Sequence, residues 1–507
     1  LLLMPDYHAV IWTRGAPPAN KEEGPPPKAS IEVGSAKRDA RGDATLGGAP
    51  SRSKITPAPA AAVPIKMGDL VVTPQETRFS YTEEFLALGG PDSRFGAPGL
   101  SLLSSPRLYG RNPIVFAARE GMPLHPRLMA LLPGEGRRNI QRQIYTRLLE
   151  RQPNPPAPGF DMDWALLMLT GHNGIGHLDI FRDDRVALAA YRQTFPALPA
   201  PGTRKKFWHA IRDDVALDIA LMDAEAIAEL LGPTPSAGGM IPKLLVAIPD
   251  KKTWDGSFAR PGTREVKGQA FTDVVLKIEP AEYQGVAELE ALCLQLHREA
   301  GFDVPRFWRA TVDGLELLAV ERFDRTPDGL PLPMETFYSV FATGNRRFTS
   351  NQDTDLAEVG SWLEKLGSVA NLDVRTVQRE FYRRLCFAVC TGNGDLHLQN
   401  VAFLGGPGKV TLAPVFDPAP MRTWPRHDVR FAVPVIFDDA VGGFGENLVA
   451  LGTSYGLTRA QAQDTLHQTL NETADYAARV EALDHVPAER RERLAGTVRR
   501  ERAVLGA

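Results

Sequence analysis

Two acidic loops in the C-terminal third constrain this chain more tightly than any other feature. The first reads Asn393-Gly394-Asp395-Leu396-His397-Leu398-Gln399-Asn400 and runs into the apolar stretch Val401-Ala402-Phe403-Leu404. The second comes just past the next apolar run, as Leu412-Ala413-Pro414-Val415-Phe416-Asp417-Pro418. Asn, Asp and Gly gather in turns for conformational reasons alone, so each loop is also readable as an ordinary turn. Together they fit a narrower arrangement. An Asp and an Asn at i and i+5 before a strand, with another Asp beyond the following run, supply an acceptor for a hydroxyl proton and two hard oxygen ligands for Mg²⁺. That is phosphoryl-transfer chemistry. It asks for a fold that brings both loops to neighbouring strand ends.

The surrounding texture is compatible with such a fold. Lys243-Leu244-Leu245-Val246-Ala247-Ile248, Phe271 to Ile278 and Glu316 to Val320 read as strands, and Val286 to Ala300 as a helix stopped by Gly301. Further helices are expected over Pro126 to Leu132, Asn139 to Leu149, Trp164 to Leu169 and Asp213 to Leu231. Gly68 to Val72, Phe79 to Tyr81 and Leu100 to Leu103 read as short strands. From Thr354 onward the pattern is mainly helical outside the two loops. The fold class expected is α+β, a two-lobed protein-kinase-like fold. A mixed α/β N-terminal lobe spans 67–325 and a mostly helical C-terminal lobe spans 326–507. Residues 1–66, rich in Pro, Ala, Gly and charge, have too little apolar surface to offset their ordering entropy and read as disordered. Their removal is expected to leave the core folded.

Bulk properties exclude several classes. A net charge of -3 gives no global electrostatic reason for nucleic-acid binding. No apolar run approaches the length of a membrane span, and Leu1-Leu2-Leu3-Met4-Pro5-Asp6 is too quickly interrupted for a signal peptide. The cysteines, Cys293, Cys386 and Cys390, show no metal-ligand spacing. A reducing cytoplasmic compartment is the simpler reading. Cys386 and Cys390, at i and i+4 on a predicted apolar helix, are expected as buried free thiols.

Three further segments carry candidate chemistry. Ser236-Ala237-Gly238-Gly239-Met240-Ile241-Pro242-Lys243 is a small-residue loop ahead of a strand, where backbone N–H groups can cradle phosphates. It is equally readable as a helix-to-strand turn. Lys277 lies inside an apolar strand, with Glu288 and Glu290 on the helix that follows. A strand Lys paired with a helix Glu is a kinase device for holding phosphates, although a solvent-facing Lys and first-turn carboxylates fit the same residues. Leu317 to Arg325 ends an apolar strand in Glu321-Arg322-Phe323-Asp324-Arg325. It fits either a hinge whose backbone meets adenine or a solvated, salt-bridged turn.

Taken in order, these segments resemble the HipA family of bacterial toxin kinases. Leu131-Leu132-Pro133-Gly134-Glu135-Gly136 is similar to the family's LLPEG segment. Gly171-His172-Asn173-Gly174-Ile175-Gly176 is similar to its glycine-rich turn, with Asn173 in place of Asp. Ser236 to Lys243 resembles its SxxGxxxK phosphate loop, with Ile241-Pro242 where polar residues are common. Val320 to Arg325 is similar to vERFDR, and Asn393 to Asn400 to NxDxHxxN. Ala413 to Asp417 resembles laPxYD, with Phe416 for Tyr. Of the family's His-x-Glu-Asp-x-x-Gln segment only Glu335 survives, and residues 1 to about 66 have no counterpart.

The resemblance implies ATP and Mg²⁺ as cofactors and a serine or threonine hydroxyl on a protein as acceptor. Aminoacyl-tRNA synthetases and other translation components are the implied targets. It implies Asp395 as catalytic base, His397 as support for its loop, and Asn400 and Asp417 as Mg²⁺ ligands. Lys243 and Lys277 would meet the phosphates, Glu290 would position Lys277, and Glu321 and Phe323 would offer backbone groups to adenine. Ser236 would be an autophosphorylated residue whose added charge of about -1.5 to -2 repels ATP and switches the enzyme off. The implied partner is a HipB-like antitoxin on a separate chain, with DNA met only through it and no membrane. Two other readings stay open. One is a small-molecule kinase of the aminoglycoside or choline type, which shares a Gly-Asp-x-His-x-x-Asn core. The other is a catalytically silent kinase-fold partner of a DNA-binding antitoxin.

Overall fold

A computed structural model of the chain describes residues 6–14, 63–88, 97–134, 139–192, 208, 241–406 and 408–506. The expected helix over Asp213 to Leu231 lies outside the described residues, as does most of the expected phosphate loop, Ser236 included.

The N-terminal sheet contains β1 (Tyr7–Thr13), β2 (Ile65–Val72), β3 (Glu76–Tyr81), β4 (Ile114–Ala117) and β5 (Asp179–Phe181). Its order is β4-β3-β2-β1-β5, with antiparallel neighbours. The expectation of disorder over 1–66 therefore fails at β1, an inner strand paired on both edges. Composition misled because the apolar run Ala9-Val10-Ile11-Trp12 is brief and adjoins proline-rich sequence. Its two faces are covered by different partners. Ala9 and Ile11 enter the main N-terminal core, while Val10 and Trp12 pack with Phe181 and Ala187. A second expectation also changes. Leu102–Ser104 is a 3₁₀ turn and not a strand, because the Ser101 hydroxyl accepts the Leu103 N–H and closes a cap.

The second sheet contains β6 (Lys243–Pro249), β7 (Glu265–Val266), β8 (Gln269–Ile278), β9 (Phe307–Val312) and β10 (Leu315–Glu321). It runs β6-β8-β10-β9, with β7 on β8. β6, β8 and β10 are the strands that the apolar runs predict; β7 and β9 are not among those read from the sequence. The Val286–Glu299 helix lies across them and ends at Gly301, whose φ of 80° suits glycine. It is buried along nearly its whole length. Ala287, Ala291 and Leu294 face Leu318 and Val320 of β10. Val286, Leu289, Cys293 and Leu296 face Phe387, Trp424, Tyr476 and Val498 of the helical lobe. A helix wedged between two lobes has little freedom to rotate, which fixes the direction of its carboxylates.

The C-terminal lobe gathers the helices Phe337–Gly344, Leu356–Gly367, Val374–Thr391, Phe444–Ser454, Arg459–Glu472, Tyr476–Glu481 and Ala488–Leu505. A small sheet of β11 (Met334–Thr336), β12 (Ala402–Leu404) and β13 (Thr411–Leu412) lies among them. The first acidic loop leads into β12 and the second leaves β13, so antiparallel pairing of β12 with β13 brings the loops to one end. Cys293, Cys386 and Cys390 are free and buried. The lobes do not part cleanly in sequence. Arg119 donates to the carbonyls of Ala342 (2.5 Å) and Asn345 (2.9 Å), and the Ser101 hydroxyl donates to Glu335 (2.9 Å).

Candidate phosphoryl-transfer site

The Val374–Thr391 helix ends at Gly392, in the left-handed region at φ 72°, and this turn starts the first acidic loop. Two side chains of the motif then hold the loop's shape. Asn393 Oδ1 accepts the Asp395 N–H at 2.9 Å, and Asn400 Nδ2 donates to the Asp395 carbonyl at 2.9 Å. With its amide nitrogen so engaged, Asn400 presents Oδ1 as its remaining hard donor. His397 Nδ1 accepts the Gln399 N–H at 3.3 Å, and its Nε2 stands 3.7 Å from Asp395 Oδ1. The Asp395 side chain keeps 33% of its surface open. Burial pushes its carboxyl up from the ordinary value; His397 pulls it back and the charge on Asp417 adds to the rise.

Asp417 sits at φ 57°, a left-handed conformation that costs a non-glycine residue energy and is held here by strong contacts. Its Oδ1 accepts from Lys277 Nζ at 2.6 Å and its Oδ2 from Lys243 Nζ at 2.7 Å. Burial alone would raise this carboxyl. The two ammonium groups outweigh burial and hold it well below the usual carboxylate range. Lys277 also donates to Glu290 and is itself raised, because burial is outweighed by Asp417 and Glu290. Glu288 does something else. It pairs with Arg309 (2.9 Å) and accepts the His485 N–H (3.0 Å). The strand Lys is therefore not solvent-facing, and Glu290 is its partner.

The Glu321 to Arg325 segment is not a solvated turn. Arg322, Asp324 and Arg325 point inward. Asp324 accepts from Arg322 Nε (3.0 Å), Arg322 Nη2 (2.9 Å), Arg325 Nη1 (2.9 Å) and the Gly176 N–H (2.8 Å). Both guanidinium groups also donate to the Gly174 carbonyl, at 2.6 and 2.7 Å. The glycine-rich turn and the strand end, far apart in sequence, thus form one buried unit. Nothing in either segment alone signals that. At Glu321 the backbone N–H already donates to the Arg306 carbonyl (2.8 Å) and the carboxylate pairs with Arg306. The Glu321 N–H is therefore already engaged within the sheet. The Phe323 ring lies 5.4 Å from that of Phe416, linking the hinge to the Asp417 loop. Sequence reasoning also gave no role to Glu335, whose buried carboxylate accepts from Ser101, the Leu102 N–H and Ser339.

Among the described residues no three His, Cys, Asp or Glu side chains cluster as a ready-made metal site. The donor set nonetheless suits Mg²⁺, which takes one or two protein oxygens and fills its octahedron with phosphate and water. Asn400 and Asp417 offer such oxygens.

A strand-rich lobe, a wedged helix with a Lys–Glu pair and two acidic loops on adjoining strand ends define a kinase fold. Residues 235–477 match the HipA-like C-terminal domain. Over 158 residues, 28% of this chain, it is 30% identical to Y4dM of Sinorhizobium fredii, a protein named as a candidate kinase. Over 206 residues, 36% of this chain, it is 25% identical to another protein so named, from Haemophilus influenzae. These matches span 36% and 60% of the two relatives' lengths. The fold is shared with a chain of the Shewanella oneidensis HipA, HipB and operator DNA complex. The TM-score is 0.54 at 15% identity, over 87% of this chain and 98% of that one. No helix among the described residues is long and apolar enough to cross a membrane.

Proposed function

We propose that this chain is a HipA-like serine/threonine protein kinase that moves the γ-phosphate of ATP to a protein hydroxyl. One observation carries the reading: Asp395 and Asn400 share a braced loop within electrostatic reach of Asp417, and Asp417 is bonded to Lys277, which is oriented by Glu290. Asp395 accepts the proton of the attacking hydroxyl. Burial raises its carboxyl, which makes it a stronger base. Lys243 and Lys277 draw the phosphates to the two loops, and His397 supports the Asp395 loop. Asn400 and Asp417 hold Mg²⁺, which supplies charge neutralisation at the phosphates. The Glu321 carbonyl and the backbone of Phe323 face adenine.

The finer parts of the reading follow the family. An aminoacyl-tRNA synthetase or other translation component is the acceptor. Phosphorylation of Ser236 is the off-switch, placing negative charge against the nucleotide's own. A HipB-like antitoxin is a separate chain through which DNA is met indirectly; the fold shared with a chain of a HipA, HipB and operator DNA complex supports it. Free buried thiols support a cytoplasmic setting.

The test is transfer of label from γ-³²P ATP into a bacterial lysate and into small alcohols, with wild type and Asp395→Asn. Labelled protein with wild type, and a loss of about 10²-fold or more with the variant, is expected. Label only in small alcohols would favour the aminoglycoside or choline type. A variant as active as wild type would remove Asp395 from its role. Mass analysis of Ser236 after incubation with Mg-ATP tests the switch.

A further inference from the structure

We propose that Glu501, on the C-terminal helix, is a positioning residue for the catalytic loop, acting through Arg422; as a statement about catalysis this rests on the kinase reading above. Glu501 lies beyond the part of the chain that matches the family, and only 3% of its surface is exposed. Its carboxylate accepts from Arg422 Nη1 at 2.8 Å and from Arg430 Nε at 2.9 Å. Arg422 is buried too, and its Nε donates to Asp428 at 2.9 Å. Asp428 in turn accepts from Arg493, on the same helix as Glu501, at 2.9 Å. Both ends of the 422–430 segment are thereby tied to one helix by charge-assisted bonds, which are shorter and stronger than neutral ones.

That segment lies directly on the start of the catalytic loop. The Arg422 N–H donates to the Gly392 carbonyl at 3.2 Å. A Cβ placed on Gly394 would stand 2.5 Å from the Val429 carbonyl oxygen, 3.0 Å from Arg422 Cγ and 3.1 Å from the His427 carbonyl oxygen. A Cβ on Gly392 would stand 2.6 Å from Leu494 of the same C-terminal helix. The backbone that delivers Asp395 is thus pressed between the helix and a segment that the helix holds. Neither layer leaves room for a side chain. Arg422 fills the space that a larger residue at Gly394 would take, and the Glu501 charge fixes Arg422. A shift of about 1 Å in a reacting group costs about 10²-fold in rate, so a brace at this point acts on turnover more than on nucleotide binding.

The experiment uses the full chain with Glu501→Gln, which keeps size and one acceptor but removes the charge. Glu481→Gln is the comparison. It breaks an exposed pair with Arg499 of the same helix, 2.7 Å apart and away from the loop. Two measurements are made on each: kcat and KM for ATP, and hydrogen exchange of the peptide spanning 392–400. Glu501→Gln is expected to lower kcat about 10-fold or more with KM for ATP within about 2-fold. Exchange in 392–400 should rise, and Glu481→Gln should change neither. An unchanged kcat in an active enzyme overturns the proposal. So does a uniform rise in exchange with kcat and KM worsening together, which marks general loosening. Should the wild type transfer no phosphate, the kinase reading fails separately. Exchange in 392–400 then decides the brace alone, and no local rise refutes it.

Discussion

Replacing Asp324 by Ala should destabilise the fold severely. The carboxylate is 2% exposed and accepts from two guanidinium groups and the Gly176 N–H. After the substitution Arg322 and Arg325 remain buried side by side, with only backbone carbonyls, those of Asn173, Gly174, Gly176 and residue 324 itself, to receive their donors. Removing one partner of a buried ion pair costs about 3–5 kcal/mol, because the remaining charge is left uncompensated. Set against a net stability of about 5–15 kcal/mol, that is a large share. At about 2–4 °C per kcal/mol for a domain-sized unit, the thermal midpoint should fall by roughly 6–20 °C. Asp324→Asn keeps an acceptor and should lose less, about 1.5–3 kcal/mol. Differential scanning fluorimetry of the three proteins at pH 7 and pH 5 is the assay. Burial would raise the Asp324 carboxyl, but Arg322 and Arg325 hold it well below the usual carboxylate range. A depressed acid contributes stability above its unfolded value near 3.9, lost only as pH falls through the folded one. The gap between wild type and Asp324→Ala should therefore persist at pH 5. A midpoint for Asp324→Ala within about 2 °C of wild type would refute the claim that this cluster joins the glycine-rich turn to the hinge.

Other expectations follow from the same structure. Because the base must be ionised and its carboxyl is raised, the acid limb of kcat/KM for phosphoryl transfer should lie above the ordinary carboxylate value, which a pH–rate profile reads; a limb at or below that value contradicts it. Ile11→Asp would bury a carboxylate in an inner strand and should lower the thermal midpoint by about 5 °C or more, and removal of residues 1–14 should do likewise; a midpoint unchanged by the truncation would restore the view that this segment is dispensable. Burial pushes the thiols of Cys293 and Cys390 up to about 12 and that of Cys386 higher still, so none should react with a thiol reagent in the native protein at pH 8; rapid labelling before unfolding would show that they are accessible.

Much of the chemistry was legible in the sequence because it is local. Spacing within Asn393 to Asn400 determines which side chains can bond back to the Asp395 backbone, and the apolar runs ahead of Glu279, Glu321 and Gly405 suffice for strands. The Val286–Glu299 helix was equally plain from its periodicity and its terminal glycine. Other features depended on contacts between distant segments. Glu288 and Glu290 lie on different faces of a helix that is apolar almost all round, so only its docking between two lobes decided which one meets Lys277. Arg322, Asp324 and Arg325 face inward because a turn distant in sequence supplies their partners. A strand as short as Tyr7–Thr13 is favourable only once β2 and β5 pair with it and Phe181 covers its second face. Glu501 carries no signal of its own; it gains a place beside the catalytic loop because the last helix folds back under Gly392. Local pattern determined the two acidic loops, while the pairing of charges in the low-dielectric interior, where an unmatched group is costly, was decided by the tertiary structure.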